Sequence, residues 1–398
     1  MKRRGYLALA GSVAATSIAG CLDNDRMEWV FDAALTVAAS PTVVEETVYT
    51  GVYNKFDGGG RFYAVDADSG DEKWQVSFTD DAPSVLRAPY VAGETVFVTT
   101  GAGADGAAGA VRALRTDSGE QQWARRFEDL VYTSPVVSGG TLLFSVGGRV
   151  VYALDSDTGE TEWTFDTAES VAAADSESDS TPFDSSPTVV DTTAYVGSVN
   201  GGLHAIDVET GAEEWSLDVN AVVNSSPTVA DETVYVGTDE GMMYGVDAES
   251  GDKRWRRSIG DSVVSSPTVM DQSLLCCDLL GTIHALDAET GESRWQFGTE
   301  GQIPSSPTVA GGRVFVGDGV LGSDSTGYVY ALGLDDGQQE WKYDTGGRIM
   351  SSPTVVDGTV YVGNGGNPSG LCALDAGISG SSNCTRVSLR TLGYHDRA

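Results

Sequence analysis

The chain repeats one pattern of apolar and polar positions eight times. Each copy opens with Ser-Pro or Ala-Pro and a short apolar run, then continues through two longer apolar runs separated by polar turns. In most copies a Gly-containing turn and a run around Trp complete the unit. Runs rich in Val and Tyr between Gly, Asp and Pro are typical of strands, so each copy predicts four short strands. The copies begin at Pro41, Pro89, Pro135, Pro187, Pro227, Pro267, Pro307 and Pro353.

The repeat predicts the fold. A period of about 40 residues that holds four strands is the pattern of a β-propeller blade. We therefore predict an all-β protein, an eight-bladed β-propeller of four-stranded antiparallel blades. The eighth copy lacks a Trp after Asp375, whereas Trp29 precedes the first copy, so the N-terminal strand should complete the last blade and close the ring. The expected blade-docking residues are Trp29, Trp74, Trp123, Trp163, Trp215, Trp255, Trp295 and Trp341.

The turn before each Trp resembles a motif of a known family. The segment Ala153-x-Asp155-x-x-Thr158-Gly159-x-x-x-Trp163 is similar to the tryptophan-docking motif of the pyrroloquinoline-quinone (PQQ) repeat propellers. Other copies depart from it at Arg115, Gly245 and Gly333. The resemblance covers roughly residues 29–376 and implies the propeller fold. It does not select a function, because these repeats build both quinoprotein dehydrogenases and non-catalytic lipoproteins of the BamB-like branch.

The N-terminal segment, residues 1–21, predicts a twin-arginine lipoprotein signal peptide. Arg3 and Arg4 form the arginine pair, and the apolar stretch behind them is too short for a good spanning helix. Cys21 ends an Ile-Ala-Gly-Cys sequence that resembles a lipobox, so it would become the lipid-bearing N-terminus. We expect a secreted protein, anchored to the outer face of the cytoplasmic membrane by lipidated Cys21.

The charge balance is strongly acidic. There are 58 acidic and 24 basic residues, and the formal net charge is −34. This composition fits a halophilic, archaeal protein working at high salt, where self-repulsion is screened. It argues against nucleic acid as a partner, and it limits membrane contact to the lipid anchor. We predict a monomer with one propeller domain at 22–376, followed by a divergent tail at 377–398 that is a candidate for disorder.

Length varies in only two kinds of connection. Ten residues separate each leading Pro from the end of the second strand, and ten separate the Ala of the third strand from Trp. The connections from second to third strand and from blade to blade vary, and alternating strand direction places both on one face. We expect a protein partner to bind there, since loops carry function more often than scaffolds do; neutral drift is the alternative. The long connections are 52–61, 101–109, 168–185, 318–327 and 364–370.

One feature hints at catalysis. Cys276 and Cys277 are followed by Asp278, and the quinoprotein alcohol dehydrogenases of the resembled family carry such a vicinal pair beside PQQ. Neighbouring residues of a strand face opposite sides, which favours two packed thiols over a strained disulfide; a redox pair stays open. We assign no catalytic, cofactor-binding or metal-binding residue, and we expect no enzyme activity. PQQ with calcium is the alternative cofactor prediction.

Other polar residues have simpler interpretations. His204 and His284 occupy equivalent positions in the third strand, without metal-ligand spacing, and are expected to be packed. A disulfide between Cys372 and Cys384 is an alternative to a packed Cys372. The Asp66 turn resembles a calcium loop superficially, but turn chemistry explains it better, because the closing Glu is missing.

Three functions follow from these predictions. The leading one is a lipid-anchored extracytoplasmic binding or assembly scaffold with a protein partner on the face that carries the long loops. The first alternative is a PQQ-dependent quinoprotein dehydrogenase. The second is a cell-surface protein that binds sugar or polymer, which would carry aromatic side chains on that face.

Overall fold

The computed structural model describes most of the repeat region. Arg3, Arg4, Cys21 and Cys384 lie outside the described residues, as do the centres of the long connections. The described residues are 26–53, 60–78, 84–85, 87–101, 109–169, 185–319, 326–366 and 369–382.

Eight antiparallel sheets surround an axis, and we number the blades by their innermost strands. The inner strands are Thr42–Val44, Tyr90–Ala92, Val136–Ser138, Thr188–Val190, Thr228–Ala230, Thr268–Met270, Thr308–Ala310 and Thr354–Val356. The second strands are Thr47–Tyr53, Thr95–Thr100, Thr141–Val146, Thr193–Gly197, Thr233–Gly237, Ser273–Cys277, Arg313–Gly317 and Thr359–Asn364. The third strands are Gly60–Asp66, Ala110–Arg115, Val150–Asp155, Gly202–Asp207, Met242–Asp247, Thr282–Asp287, Tyr328–Gly333 and Gly370–Asp375.

The outer strands complete the blades. In blades one to seven they are Glu72–Phe78, Gln121–Arg126, Thr161–Asp166, Glu213–Asp218, Lys253–Ser258, Ser293–Gly298 and Gln339–Asp344. Blade one gains a short extra strand, Thr36–Val37, and one 3₁₀ turn lies at Thr167–Glu169. No helix within the described ranges is long and apolar enough to cross a membrane.

The N-terminal strand closes the ring. Met27–Asp32 pairs antiparallel with Gly370–Asp375 and becomes the outer strand of blade eight. Near the axis, the Thr354 hydroxyl donates to the Pro41 carbonyl at 2.8 Å, so the inner strands of blades eight and one also meet. The all-β, eight-bladed prediction and its closure by the N-terminal strand are confirmed.

The Trp residues join each blade to the next. A β-bulge in each outer strand re-aims its side chains, and Trp lies opposite Ala or, in blade five, opposite Gly245. All eight indole Nε1–H groups donate to a turn carbonyl of the following blade, as Trp163 does to Val208 at 2.9 Å. The small residue in the motif therefore makes room for the indole.

Blade eight departs from this arrangement. In the turns of the other blades a glycine lies against the indole of the preceding Trp. On Trp341 the Arg26 guanidinium lies 4.6 Å from the ring centroid. Residues 378–382 continue along blade eight, where the Ser382 N–H donates to Val355 at 2.9 Å. The first six residues of the predicted tail therefore pack on the propeller.

The apolar core lies between blades and is not gathered at one centre. Tyr195 and Leu203 of blade four pack with Val234 and Val246 of blade five, and equivalent clusters occur around the ring. Burial of apolar surface contributes roughly 25 cal/mol per Å², so each blade depends on its neighbours for stability.

Candidate functional site: the loop-bearing face

Backbone hydrogen bonds define two faces of the ring. Within every blade, the turn between the third and outer strands is hydrogen-bonded to the turn between the first and second strands. In blade five, for example, the Ala248 N–H donates to the Glu232 carbonyl at 2.9 Å. We call this the fixed-turn face. On the opposite side, connections between blades are bonded to connections from second to third strand, as Val263 N–H is to Thr238 at 2.9 Å. We call that side the loop-bearing face, and the described ends of the predicted long connections lie on it.

Exposed apolar side chains mark the loop-bearing face. Among the described residues, the large hydrophobic side chains classed as exposed are Leu280, 74% exposed, and Met350, 36% exposed. Leu280 lies in the connection between the second and third strands of blade six, and Met350 lies between blades seven and eight. Both therefore lie on the same face, although they come from different blades.

Leu280 occupies a tight turn with a polar counterpart. Gly281 N–H donates to Asp278, and in blade five Gly241 N–H donates to Thr238, so the two turns have the same form. The position that holds Leu280 in blade six holds Glu240 in blade five, which is also exposed. The fold therefore does not require an apolar residue at this position.

A cavity of about 520 Å³ lies on the same face between blades two and three. Arg125, Arg126 and Arg149 line it together with the half-buried rings of Phe127 and Tyr152. Arg149 holds the Asp166 carboxylate through two hydrogen bonds of 2.8 and 2.7 Å, and this pairing lowers the pKa of Asp166. Glu128 and Asp129 also line the cavity, which therefore offers basic, acidic and aromatic groups together.

A second concave site, a groove, lies on the fixed-turn face. It has a volume of about 640 Å³ and runs between blades four and five. Its charged lining is acidic: Asp191, Glu214, Asp231, Glu232, Asp247 and Glu249. The charged lining of the groove is thus wholly acidic, whereas that of the cavity is mixed.

Cys276 and Cys277 are fully buried on opposite faces of their strand. Cys276 packs with Tyr235 and Met243 of blade five, whereas Cys277 packs with Val309 of blade seven. Neither residue forms a disulfide bond, and burial raises the pKa of Cys276 well above its usual range. Cys372 is also buried with a free thiol, and burial raises its pKa to about 12.

The cysteine pair does not fit a quinone contact. Neither thiol is exposed to the axis or to solvent, because each is covered by a neighbouring blade. In the part of the chain that the structure describes, no group of three or more His, Cys, Asp or Glu side chains is placed to hold a metal ion. We therefore derive no chemical step through PQQ or calcium at Cys276 and Cys277.

A buried acid–histidine pair lies beside Cys276. The His284 ring Nε2 is 2.9 Å from Asp278 Oδ2, both side chains are buried, and His284 Nδ1 has no hydrogen-bond partner. Equivalent positions pair His204 with Ser198, and Tyr330 with Asp318. We expected His284 to be a packed residue, and its pair with Asp278 was not predicted. The signal for the pair is the six-residue spacing, which places Asp278 directly after the second strand and His284 in the third strand, across a tight turn.

Comparison with known proteins assigns the family. The profile of a PQQ-repeat family described as outer membrane protein assembly factor BamB matches residues 11–125, 104–181, 150–274 and 280–379. The chain belongs to this family. The overlapping matches span most of the blades, which agrees with the BamB-like resemblance of the repeat motif. A search of curated proteins gives no match.

Solved structures share the BamB-type fold with this chain. BamB from Moraxella catarrhalis is 18% identical with a TM-score of 0.68, covering 86% of this chain and 97% of that chain. Quinohemoprotein alcohol dehydrogenase from Comamonas testosteroni is 15% identical with a TM-score of 0.68, covering 90% and 77%. A europium-containing methanol dehydrogenase is 16% identical with a TM-score of 0.65, covering 86% and 85%. These similarities establish the fold, which an assembly factor and two dehydrogenases share.

Proposed function

We propose that this protein is a lipid-anchored extracytoplasmic scaffold that binds a protein partner on its loop-bearing face. The observation that carries the proposal is the exposed pair Leu280 and Met350 on that face. Membership of a family described as an assembly factor supports a binding role, because assembly requires contact with another protein.

Leu280 is suited to be a contact residue. Fully burying a Leu side chain contributes about 1.5–3 kcal/mol, and a side chain that is 74% exposed has most of this free energy still to gain. Binding hot spots are large side chains that become desolvated within a polar rim. Asp239 and Glu240, in the equivalent turn of blade five, supply polar groups on the same face.

The cavity between blades two and three would add specificity. The exposed Arg125 can pair with a carboxylate of the partner, since guanidinium groups bind carboxylates in a fork, whereas the fork of Arg149 is already held by Asp166. The half-buried Tyr152 packs edge-on against Phe127 at a centroid distance of 5.0 Å, so the aromatic wall is held in place. The same wall would serve a sugar-binding protein, and purified glycans are the probe for that alternative.

A charge substitution on each face tests the docking surface. We expect Leu280→Glu to abolish a discrete cross-linked product formed by the anchored protein in cells, because a carboxylate would be buried at the contact. The matched control is Gln272→Glu, which adds the same charge to the fixed-turn face of the same blade. Equal cross-linking by both variants would overturn the proposed site, and a product lost in both would assign the effect to charge alone.

Anchoring is tested separately. Cys21→Ala removes the thiol that would carry lipid, so the propeller should appear in the medium instead of the membrane fraction. Retention of the Cys21→Ala protein in the membrane fraction would contradict the lipid anchor.

A cofactor assay separates the scaffold from a quinoprotein dehydrogenase. We expect purified protein incubated with PQQ and calcium to retain no stoichiometric quinone and to reduce no dye with alcohols or sugars. The buried positions of Cys276 and Cys277 support this expectation. Quinone retained at one per chain, together with dye reduction, would replace the scaffold proposal.

A further inference from the structure

The outer strand of blade five, Lys253–Ser258, has an unusual charge. Four of its six residues are basic, in a chain whose formal net charge is −34. No other outer strand contains more than two basic residues. The outer strand of blade four, next to it, is acidic instead. The four basic residues are Lys253, Arg254, Arg256 and Arg257.

This strand is an exposed sheet edge. It pairs with the third strand of blade five and is the last strand of its sheet. All of its residues are exposed except Trp255, which docks on blade six. An edge strand presents unpaired N–H and C=O groups, so it can accept a further strand.

The basic side chains are held in place but not neutralised as a group. Arg254 pairs with Asp247 at 2.7 Å, and the Arg257 Nε–H donates to the Gly291 carbonyl at 2.9 Å. The Lys253 ammonium lies 5.7 Å from the Tyr244 ring centroid. Within the described residues, Lys253, Arg256 and Arg257 have no carboxylate at ion-pair distance. Three uncompensated positive charges therefore lie along one edge.

Edge strands are commonly protected by charge of either sign, Lys included, so protection alone does not explain why this one outer strand of an acidic chain is basic. Proteins place charge on edge strands to prevent pairing with other chains. The neighbouring edge of blade four does this with Glu213, Glu214 and Asp218, which repel other acidic chains. A basic edge has the opposite effect among acidic proteins, because it attracts them.

We propose that the outer strand of blade five docks an extended acidic segment of a partner protein, which adds to the sheet as a fifth strand. Carboxylates on one face of the segment pair with Lys253 and Arg256, which lie on the side of blade four, and a carboxylate on its other face can pair with Arg257, which lies on the side of blade six. The backbone of the segment pairs with the open edge. This surface is on the side wall of the ring, distinct from the loop-bearing face, and the proposal goes beyond the scaffold function.

Two peptides test the proposal. The first alternates Glu and Val over ten residues, and the second replaces each Val by Pro, which keeps the charge but cannot form a strand ladder. Binding is measured by fluorescence anisotropy at about 1 M salt, where the Debye length is about 3 Å, so only direct ion pairs register. We expect the Glu-Pro peptide to bind at least tenfold more weakly than the Glu-Val peptide.

Charge variants locate the site. The triple variant Lys253→Glu, Arg256→Glu, Arg257→Glu should weaken binding of the Glu-Val peptide at least tenfold, and the corresponding Gln variant should weaken it less. The control Lys73→Glu, Lys342→Glu reverses one basic residue in each of the outer strands of blades one and seven and should leave the affinity unchanged. Neither residue belongs to the surface proposed for the scaffold function, so the control also separates the two proposals.

Several results would overturn the proposal. Equal affinity for the two peptides would exclude strand addition, and unchanged affinity in a triple variant with wild-type circular dichroism and melting temperature would exclude the site. Wild-type dimers that the Glu variant dissociates would make a second copy of the chain the occupant. Binding to vesicles with phosphatidylglycerol, lost in the Glu variant, would assign the strand to a membrane surface.

Discussion

The two faces of this propeller obey different constraints. On the fixed-turn face, the connection between third and outer strands keeps one length in all seven copies that carry a Trp in sequence. On the loop-bearing face, connections differ in length from blade to blade, and exposed Leu280 occupies the position that holds Asn200 in blade four and Glu240 in blade five. The comparison shows that the packing of one blade against the next limits where the chain can vary.

The fixed turns are uniform because each makes several contacts at once. In blade four, Asp207 Oδ1 accepts hydrogen bonds from the Thr210 N–H and hydroxyl at 2.8 and 2.6 Å, and the Val208 carbonyl accepts from Trp163. Gly211 adopts φ +71°, and a Cβ there would lie 2.6 Å from the Trp163 ring. An insertion would disturb all of these contacts together, and all eight Trp indoles dock on the fixed-turn face and none on the loop-bearing face.

The largest effect is expected from removing a docking side chain. Trp163→Ala should lower the free energy of unfolding by about 3 kcal/mol, the lower end of the range for buried Trp, because this indole is partly exposed. Urea unfolding monitored by circular dichroism measures the change. The control Thr164→Ala removes an exposed side chain of the same strand and should change the free energy of unfolding by less than about 0.5 kcal/mol. Equal losses in the two variants would show that the docked indole contributes no more to stability than an exposed side chain.

A glycine substitution separates backbone strain from docking. Gly211→Ala should cost about 2–3 kcal/mol, because it combines positive φ with a clash against the indole. Gly93→Ala, with φ +57° and no atom within 4 Å of the new Cβ, should cost about 1 kcal/mol from strain alone. The difference between the losses of unfolding free energy in the two variants measures the cost of the clash with the indole. Equal losses would show that both substitutions act through backbone strain alone.

The pH dependence of the unfolding free energy tests the contribution of buried His204 in blade four. Burial lowers the pKa of His204, so the unfolded chain binds a proton that the folded chain resists. The stability contributed by neutral His204 is present above the unfolded pKa of about 6.5 and is lost as pH falls through the lowered folded value. His204→Gln should therefore flatten the unfolding free energy between pH 7 and pH 5; parallel curves for the two proteins would contradict this.

The smallest stability effect is expected on the loop-bearing face. Leu280→Glu should change the free energy of unfolding by less than about 0.5 kcal/mol, because the side chain is exposed and Glu occupies the equivalent turn of blade five. Thermal melting of the variant beside wild type measures this. A loss as large as that of Trp163→Ala would mean that Leu280 belongs to the core and not to a docking surface.

The sequence predicted the ring well because its signals are local and repeated. Strand alternation, leading Pro residues and the placement of Trp29 before the first copy together predicted eight blades and the closing strand. The contact of Arg26 with Trp341 was not predicted, since it joins residues from the two ends of the repeat region. The packing of residues 378–382 was missed for the same reason, because they follow no repeat pattern.

The candidate sites were only partly accessible from sequence. The alternation of side chains along a strand places Cys276 and Cys277 on opposite faces, which is their arrangement in the structure. The cavity with Arg125 and Arg149 joins two blades, and no sequence spacing indicates it. The basic edge at Lys253–Ser258 could be read from composition, but that it is exposed and carries uncompensated charge required the folded neighbours.

The sequence by itself determined the blade, the number of blades and the residues that join them, because each depends on periodic patterns within about 40 residues. Tertiary structure decided which residues share a surface. Leu280 and Met350 lie in different blades, and the pairing of Arg26 with Trp341 spans most of the chain. Such contacts depend on closure of the ring, which brings distant segments together without leaving a periodic pattern in the sequence.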